Sequence, residues 1–475
     1  MSRLVVVSNR VAPLRGAASA GGLAVALSQA LGAEPSLWFG WSGKTTPEGA
    51  EKPRFQHNRV MMQALLDLPE AEYDRYYNGF ANRCLWPLFH FRSDLIHFDA
   101  EDFAAYRRVN ERFAAALQPL LRPDDLIWAH DYHLFGLATA LRALGVKNRM
   151  GLFLHIPFPP ADLLETFPKV DWLLRSMFDY DVVGLQTKAD LRRFGDGVRA
   201  LAAGHTRARG FVAFGRELEA GAFPIGVDVD KVRLHATSPE TRRECEPLRA
   251  TLQERVQIVG VDRLDYSKGL VRRMSAYQTL LERYPDTHGK VELLQIAPLS
   301  RGELEAYKHF RVDTERAAVR INGRFARLDW TPVRYLNRPL PWQTLTGIYR
   351  MSRIGLITPT RDGMNLVAKE FVAAQDPDDP GVLVLSRFAG AAEQMEAALL
   401  VNPYDPGEVA AALERARLMD IGERRQRHAD LLAGLKAYDL HRWHDEFVRA
   451  LKGPTVEAAP AAESGPVELA SELSG

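Results

Sequence analysis

The chain has 475 residues, of which 46% are hydrophobic and 25% charged, and its formal net charge is +1. This length predicts two or three domains, and the near-zero charge argues against nucleic acid or an anionic membrane as a main partner. We find no apolar run of about 18 residues, so we expect no transmembrane span. The two cysteines, Cys84 and Cys245, form no CxxC motif or Cys/His cluster, which favours a reducing cytoplasm over a disulfide framework or a zinc site.

The N-terminal region begins with an apolar run at residues 4–8, too short for a signal peptide, which predicts a buried strand. Arg10 follows this strand, and a glycine-rich loop at 16–22 leads into a helical pattern at 23–31. A strand, a glycine-rich loop and a helix start bind anions well, because the first helical N–H groups lack partners. The segment is therefore a candidate phosphate site with Arg10 as its cation, and a flexible connector is the alternative.

Aromatic residues dominate the next two stretches. Residues 36–43 contain Trp41, and residues 76–90 contain Tyr77 and Trp86. Aromatic faces suit the C–H faces of sugars, but the same residues also suit a packed core. Both interpretations stay open at this point.

Three strand-like runs then end in polar residues. Asp131 follows the run at 126–129, and His155 follows the run at 150–154. In an open parallel sheet the ligand lies beyond the carboxyl ends of the strands, so Asp131 and His155 are predicted pocket residues. A third run, at 181–185, ends in the same way.

A second α/β series begins at residue 256. Apolar runs at 256–261 and 290–297 alternate with helical patterns, which predicts a second parallel sheet covered on both faces. The first of these runs leads directly into a polar loop that contains Arg263 and Lys268.

The most informative stretch of the chain is residues 354–371. An apolar strand leads into a polar turn, and a helix begins near Asn365 with Leu366 and Glu370 on one face. The helix start offers N–H donors to an anion, and Glu370 is placed to accept hydrogen bonds from ribose hydroxyls. An ordinary strand, turn and helix with a solvated Glu370 is the alternative.

Residues 263–268 and 358–371 together resemble the trehalose-phosphate synthase family of retaining nucleotide-sugar glycosyltransferases. The resemblance covers about residues 3–452 and includes the strings Ser-Asn-Arg at 8–10, Phe-Gly-Trp-Ser-Gly at 39–43, Tyr-Tyr-Asn at 76–78, Leu-Trp-Pro at 85–87, His-Asp-Tyr-His at 130–133 and His-Ile-Pro-Phe-Pro at 155–159. It implies an α/β fold with the GT-B architecture, in which two Rossmann-like domains with parallel sheets face each other across a cleft.

The resemblance also implies a domain organisation. We expect an acceptor-binding domain at 1–235, a nucleotide-sugar-binding domain at 236–435, and a C-terminal helix at 436–453 that returns to the N-terminal domain. Residues 454–475 are mostly Ala, Glu, Pro, Ser and Gly, and this composition predicts a disordered tail.

The implied reaction moves glucose from a nucleoside-diphosphate glucose, usually UDP-glucose, to glucose 6-phosphate. The product is α,α-trehalose 6-phosphate, formed with retention in the first step of trehalose biosynthesis. The resemblance implies no cofactor and no catalytic metal. His130 and His133 are spaced like a pair of metal ligands, but the sequence shows no apparent third ligand. The expected partners are these small-molecule substrates, and whether the chain forms a homo-oligomer is left open.

Site residues follow from the same resemblance, position by position. The implied catalytic residues are Arg263, Lys268, His155 and Asp131. The implied donor-binding residues are Gly22, Arg263, Lys268, Asp362, Gly363, Met364, Asn365, Leu366, Val367 and Glu370. The implied acceptor-binding residues are Arg10, Trp41, Tyr77, Trp86, Asp131 and Arg301.

Three other functions remain as alternatives. A related synthase would use another phosphorylated acceptor, such as glycerol 3-phosphate. A non-catalytic sensor of sugar phosphates would keep the fold but lose the charged residues of the donor site. A nicotinamide-dependent oxidoreductase would need a GxGxxG loop, which the sequence lacks. The choice among UDP, ADP and GDP as the donor's nucleotide is open as well.

Overall fold

The computed structural model describes residues 2–12, 27, 36–57, 61–252, 254–300 and 304–453. The predicted glycine-rich loop at 16–22, which includes Gly22, lies outside the described residues, as do Arg301 and the predicted tail at 454–475. Within the described part, strands and helices alternate around two sheets, which confirms the α/β class. None of the helices described there is long and apolar enough to cross a membrane.

The first sheet has ten strands in the order β3-β4-β2-β1-β5-β6-β7-β10-β9-β8. They are β1 (Leu4–Arg10), β2 (Ser36–Thr46), β3 (Arg54–His57), β4 (Met61–Pro69), β5 (Leu126–His130), β6 (Met150–Phe153), β7 (Val182–Leu185), β8 (His205–Arg207), β9 (Gly210–Ala213) and β10 (Arg216–Ala222). The central strands are parallel, as predicted. The two edges are antiparallel, because β3 and β4 pair as one hairpin and β8, β9 and β10 pair as a meander.

The helices of this first region contribute their buried apolar residues to the core on one face of the sheet. They are α1 (Glu70–Tyr73), α2 (Trp86–Phe89), α3 (Ala100–Leu117), α4 (Leu137–Ala143), α5 (Ala161–Glu165), α6 (Val170–Met177) and α7 (Lys188–Leu201). A π-helical segment, Asp74–Leu85, joins α1 to α2 and carries much of the aromatic stretch noted in the sequence. Wider π-helical turns are uncommon and often occur at functional sites.

The second sheet has six strands in the order β13-β12-β11-β14-β15-β16, and all of its pairs are parallel. The strands are β11 (Val256–Val261), β12 (Val291–Ile296), β13 (Val333–Leu336), β14 (Ile354–Ile357), β15 (Val382–Ser386) and β16 (Leu399–Val401). The remaining helices are α8 (Val229–Thr237), α9 (Pro239–Leu252), α10 (Leu270–Arg283), α11 (Glu305–Phe325), α12 (Trp342–Met351), α13 (Leu366–Ala374), α14 (Pro406–Leu418), α15 (Ile421–Ala437) and α16 (Leu440–Lys452).

Strand β1 shows why an unbroken apolar run lies at the centre of the first sheet. It pairs with β2 on one side and β5 on the other, so Ser8 stands opposite both Gly40 and His130. Val5 and Val7 pack into the core on one face, and the intervening valine packs into the core on the other. Since both faces are covered, the buried positions 4–7 of the strand are all apolar.

The last helix, α16, lies on the first sheet although it follows the second one in the chain. The rings of Trp443 and Phe447 lie 5.1 Å and 4.8 Å from the ring of Trp128 in β5. A Cβ atom on Gly151 or Gly184 would come within 2.9 Å or 2.7 Å of the Phe447 ring, so these two glycines let the helix approach the strands closely. The chain therefore crosses twice between the two sheets.

The boundary between the two sheet regions stays a proposal. Helix α8 packs against α12 and α13 of the second region. We therefore propose that the boundary lies before Val229, with α8 in the second domain, rather than at residue 235.

Replacing Trp443 tests whether α16 is an integral part of the first domain. Trp443→Ala is expected to lower the free energy of unfolding by about 3–5 kcal/mol, the usual cost of truncating a large buried aromatic side chain. His441→Ala, on the exposed face of the same helix, is the matched control and should change it by less than about 0.5 kcal/mol. Urea unfolding followed by circular dichroism measures both, and equal losses would contradict this packing role.

Candidate active site

The carboxyl ends of strands from both sheets meet at a cavity of about 270 Å³. Eleven of the residues predicted from the sequence line it: Trp86, Asp131, His155, Arg263, Lys268, Asp362, Met364, Asn365, Leu366, Val367 and Glu370. Asp131 and His155 follow β5 and β6, whereas Arg263 and Lys268 follow β11. The topology of the two sheets thus brings together segments that are more than a hundred residues apart.

The predicted donor-binding helix begins as expected at this cavity. Asn365 adopts a left-handed backbone (φ 80°) and is the N-cap of α13. Its side-chain oxygen accepts a hydrogen bond from the N–H of Ala368 at 3.2 Å. Leu366 and Val367, the first two residues of the helix, border the cavity. The positive end of the helix dipole therefore points at the space where an anion would lie.

Lys268 and Asp362 form an ion pair at the edge of the cavity. The amine Nζ of Lys268 lies 2.5 Å from Oδ2 of Asp362, and Nδ2 of Asn365 donates to the same oxygen at 2.9 Å. Burial acts to raise the pKa of Asp362, but the charge of Lys268 and the hydrogen bonds from Lys268 and Asn365 together hold that pKa below its usual value. Two residues with separate predicted roles, one for phosphate and one for sugar hydroxyls, are thus direct partners.

Arg263, in the loop after β11, and Trp86, at the start of α2, lie against each other at the cavity. The guanidinium of Arg263 lies 5.5 Å from the centre of the Trp86 ring, within the range of a cation–π contact. The indole N–H of Trp86 points to Oδ1 of Asp265 at 3.4 Å. The other carboxylate oxygen of Asp265 accepts a hydrogen bond from the hydroxyl of Tyr307 at 2.9 Å. Trp86 therefore contacts the donor side of the cavity as well as the predicted acceptor side.

Glu370 is buried and paired with an indole that the sequence interpretation did not consider. The N–H of Trp342 donates to Oε1 of Glu370 at 2.9 Å, and both residues line the cavity. Burial raises the pKa of Glu370 to about 7, and the indole hydrogen bond partly opposes this rise. The neighbouring hydroxyl of Tyr349 is buried at the same cavity without a hydrogen-bond partner in the described part of the chain. A solvated Glu370, the alternative considered above, is wrong.

His155 is held by hydrogen bonds at both ring nitrogens. Its Nε2 lies 3.0 Å from Nδ1 of His130, and its Nδ1 lies 3.3 Å from the amide nitrogen of Gln186. Burial lowers the pKa of His155 to about 3, so the ring is neutral at physiological pH. The backbone N–H of His155 also donates to Oδ1 of Asp131 at 3.2 Å, which orients that carboxylate.

Four predicted residues within the described part of the chain, Gly363, Arg10, Trp41 and Tyr77, are not among those that line the cavity. Gly363 lies next to it, and a Cβ atom there would be 2.0 Å from the carbonyl oxygen of His155, so the glycine allows a close approach between the two regions. Arg10, Trp41 and Tyr77 lie in a separate aromatic cluster. The guanidinium of Arg10 is 5.6 Å from the Trp41 ring.

This aromatic cluster is connected to the cavity by ring contacts. The successive pairs are Trp41–Tyr73 at 4.5 Å, Tyr73–Tyr77 at 5.3 Å, Tyr77–His133 at 5.7 Å, His133–Tyr132 at 4.0 Å and Tyr132–Trp86 at 5.6 Å. A row of aromatic rings therefore leads from Arg10 to Trp86. His133 is a member of this row, and the described residues contain no group of three or more side chains suited to hold a metal ion.

A buried arginine, Arg273, supports the donor side and was not predicted. Its guanidinium donates to Asp262 at 2.6 Å, to Gln295 at 2.9 Å and to the hydroxyl of Thr358 at 3.0 Å. These partners lie at or near the carboxyl ends of β11, β12 and β14, so one side chain ties three strands together below the cavity. The helical spacing of apolar residues predicts which face of α10 points inward. An arginine on that face is usually expected to be exposed to solvent, so the sequence did not single out Arg273.

Comparison with known proteins shows which family shares these features. The family model described as Glycosyltransferase family 20 matches residues 6–453 of this chain. A trehalose-6-phosphate synthase of Salmonella arizonae is 47% identical over 460 residues, with 97% of each chain covered. One from Escherichia coli K12 is 48% identical over 454 residues, with 95% of each chain covered.

Solved structures agree with this assignment. A UDP-forming α,α-trehalose-phosphate synthase from Burkholderia xenovorans in complex with glucose-6-phosphate has a TM-score of 0.92 and 46% identity, covering 95% of this chain and 100% of that one. The Escherichia coli protein bound with UDP-2-fluoro glucose has a TM-score of 0.91 and 47% identity, covering 95% and 99%. The predicted GT-B architecture is confirmed by this likeness, and the chain belongs to glycosyltransferase family 20.

Proposed function

We propose that this protein is a retaining glycosyltransferase that moves glucose from UDP-glucose to glucose 6-phosphate and releases UDP and α,α-trehalose 6-phosphate. The observation that carries the proposal is the cavity itself, which joins a cationic donor wall (Arg263, Lys268 and the start of α13) to Trp86, Asp131 and His155 from the other sheet. Relatives that cover nearly the whole chain carry the corresponding names.

The donor wall is suited to a leaving diphosphate. As the glycosidic bond breaks, negative charge grows on the phosphate oxygens, and groups already aimed at that position lower the barrier. Lys268 and Arg263 supply two positive charges, and the first N–H groups of α13 supply hydrogen bonds. Lys268 is held in place by Asp362 before a substrate arrives, so it needs little reorganisation to meet the phosphate.

Glu370 is suited to the ribose of the donor. One of its carboxylate oxygens already accepts a hydrogen bond from the indole N–H of Trp342. Glu370 borders the cavity one helical turn after the start of α13. Asp362 and the backbone of residues 363–365 are proposed to take the hydroxyls of the transferred glucose. This division follows the order of these groups along the cavity, from phosphate at the helix start to ribose one turn further on.

The acceptor enters from the first sheet. Asp131, whose carboxylate is oriented by the backbone N–H of His155, is proposed to orient the acceptor hydroxyl rather than to attack the sugar. The aromatic row that ends at Trp86 suits the C–H faces of glucose 6-phosphate. Arg10, at the far end of that row, is proposed to bind the acceptor phosphate together with Arg301, which lies outside the described residues.

A substrate assay tests the proposed reaction. The purified chain is incubated with UDP-glucose and glucose 6-phosphate, UDP release is followed, and the linkage of the product is read by NMR. The expected product is the α,α-linked disaccharide phosphate. A higher kcat/KM with glycerol 3-phosphate would favour the related synthase instead, and no UDP release with any acceptor would favour a sensor. Parallel assays with ADP- and GDP-glucose identify the preferred nucleotide.

A location in the cytoplasm is part of the same proposal. Cys84 and Cys245 are both buried free thiols, which fits a reducing compartment.

Removing the Lys268 charge tests the diphosphate clamp. Lys268→Ala is expected to lower kcat by about 100- to 1,000-fold, the usual effect of losing one group that stabilises a developing anion. The KM for glucose 6-phosphate should change far less, because the charge acts mainly in the transition state. Steady-state UDP release measures both parameters. Lys436→Ala, an exposed lysine on α15, is the matched control, and a normal kcat with only a raised acceptor KM would contradict the clamp.

The raised pKa of Glu370 predicts a pH-dependent donor KM. Below a pH of about 7 the carboxylate becomes protonated and is a weaker acceptor for ribose hydroxyls. The donor KM should therefore rise as the pH falls, approaching roughly tenfold per pH unit if only the ionised form binds. In Glu370→Gln the KM should be high throughout and nearly independent of pH. A wild-type pH profile that persists in Glu370→Gln would show that another group titrates.

A further inference from the structure

Lys369, the neighbour of Glu370 on α13, starts a chain of hydrogen bonds that ends at His155. The Lys369 side chain is fully buried, and its amine donates to the carbonyl oxygen of Ile225 at 2.7 Å. It also donates to the side-chain oxygen of Gln394 at 2.7 Å. Both of these partners are neutral oxygens. Burial without a carboxylate partner lowers the pKa of Lys369 to about 7.

The next bond passes from Ile225 to Gln186. The backbone N–H of Ile225 donates to Oε1 of Gln186 at 3.0 Å. Because this oxygen must accept the N–H, the orientation of the Gln186 amide is determined, and its NH₂ group faces His155. Ile225 belongs to the connection between the two sheets, so the chain of bonds crosses from the donor helix into the first sheet at this residue.

The last bonds determine which nitrogen of His155 carries the proton. The Gln186 amide donates to Nδ1 of His155 at 3.3 Å, so Nδ1 has to be the unprotonated nitrogen. The proton therefore sits on Nε2, which donates to Nδ1 of His130 at 3.0 Å. The reverse tautomer would set an N–H of His155 against an N–H of Gln186, two donors with no acceptor between them.

We propose that Lys369 is a positioning residue for His155: through Ile225 and Gln186 it holds the His155 ring in one orientation and in the neutral tautomer protonated at Nε2. The inference deepens the proposed function and rests on it for its catalytic meaning. Positive charge develops on the glucose carbon as the diphosphate leaves, and a neutral ring beside the sugar avoids the repulsion that an imidazolium would add. Lys369 is not among the residues that line the cavity, so it acts through these neighbours.

This arrangement also gives a reason for burying an amine that lacks a counter-charge. A buried amine is costly unless it makes hydrogen bonds that the fold needs. The two bonds of Lys369 connect α13, which carries Glu370 and the phosphate-binding helix start, to the segment that orients His155. The donor helix and the histidine of the opposite sheet are therefore held in one relative position.

The tautomer is read directly by nitrogen NMR of the ring. In protein labelled with ¹⁵N-histidine, without substrates, the His155 signals are assigned by comparison with His155→Asn. The wild type is expected to show a protonated Nε2 and an unprotonated Nδ1. A proton on Nδ1 in the wild type would overturn the inference at once, and this result does not depend on any variant at position 369 or on enzyme activity.

Variants then test the role of each bond. Lys369→Met removes the donor but keeps the length and apolar stem of the side chain, and it is expected to give a mixture of His155 tautomers. Gln186→Glu places a carboxylate at Nδ1 and should move the proton there. Gln394→Leu, which removes only the second partner of Lys369, is the matched control and should keep the wild-type pattern. A wild-type His155 pattern in Lys369→Met would overturn the inference.

Kinetics show whether the two side chains act as one unit. Lys369→Met and Gln186→Leu are each expected to lower kcat by about 10- to 100-fold, as for other groups that position a reacting site. The double variant should be no slower than the slower single variant, because both break the same chain of bonds. Multiplying effects would overturn the inference while leaving the proposed reaction intact. Loss of UDP release in the wild type would overturn the proposed reaction and leave the NMR result standing.

Discussion

The buried guanidinium of Arg273 is the contact on which the donor side of the molecule depends. It joins Asp262, Gln295 and Thr358, and thereby the ends of three parallel strands. A lone charge at this depth would be strongly unfavourable, and the ion pair with Asp262 is what makes its burial tolerable. The loops that carry the cationic clamp and the sugar-binding turn both start from these strand ends, so their relative position follows from this one side chain.

The two sheets contribute different chemistry to the cavity because different groups lie at the ends of their strands. The second sheet is wholly parallel, and helix α13 points its positive end into the cavity, which suits an anionic donor. The first sheet ends in Asp131, His155 and a row of aromatic rings, which suits a polyhydroxylated acceptor. Helix α16 and the buried amine of Lys369 both connect the two regions. Catalysis in such a site depends on holding both halves at one separation.

Much of the fold was predictable, because its signals are local. Runs of apolar residues marked β1, β5, β6 and β7 within one or two residues, whereas β2 and β4 were not predicted as strands. The Asn365 cap and the start of α13 lie where the turn residues predicted them. The antiparallel edges and the π-helical segment at 74–85 were not predicted. Short edge strands such as β3 are exposed and lack an apolar pattern, and a π-helical turn has the same composition as an α-helical one.

The sequence by itself determined the two α/β series, the polar residues at the ends of their strands and, through the joint order of its motifs, the family. Those features depend on short stretches of chain, where spacing and side-chain chemistry act directly. Only the tertiary structure decided the pairings: Lys268 with Asp362, Glu370 with Trp342, and Lys369 with Ile225. Each of these contacts joins elements far apart in the chain. A hydrogen bond needs its two atoms within about 3 Å and aligned, a condition that no residue spacing along the chain can specify.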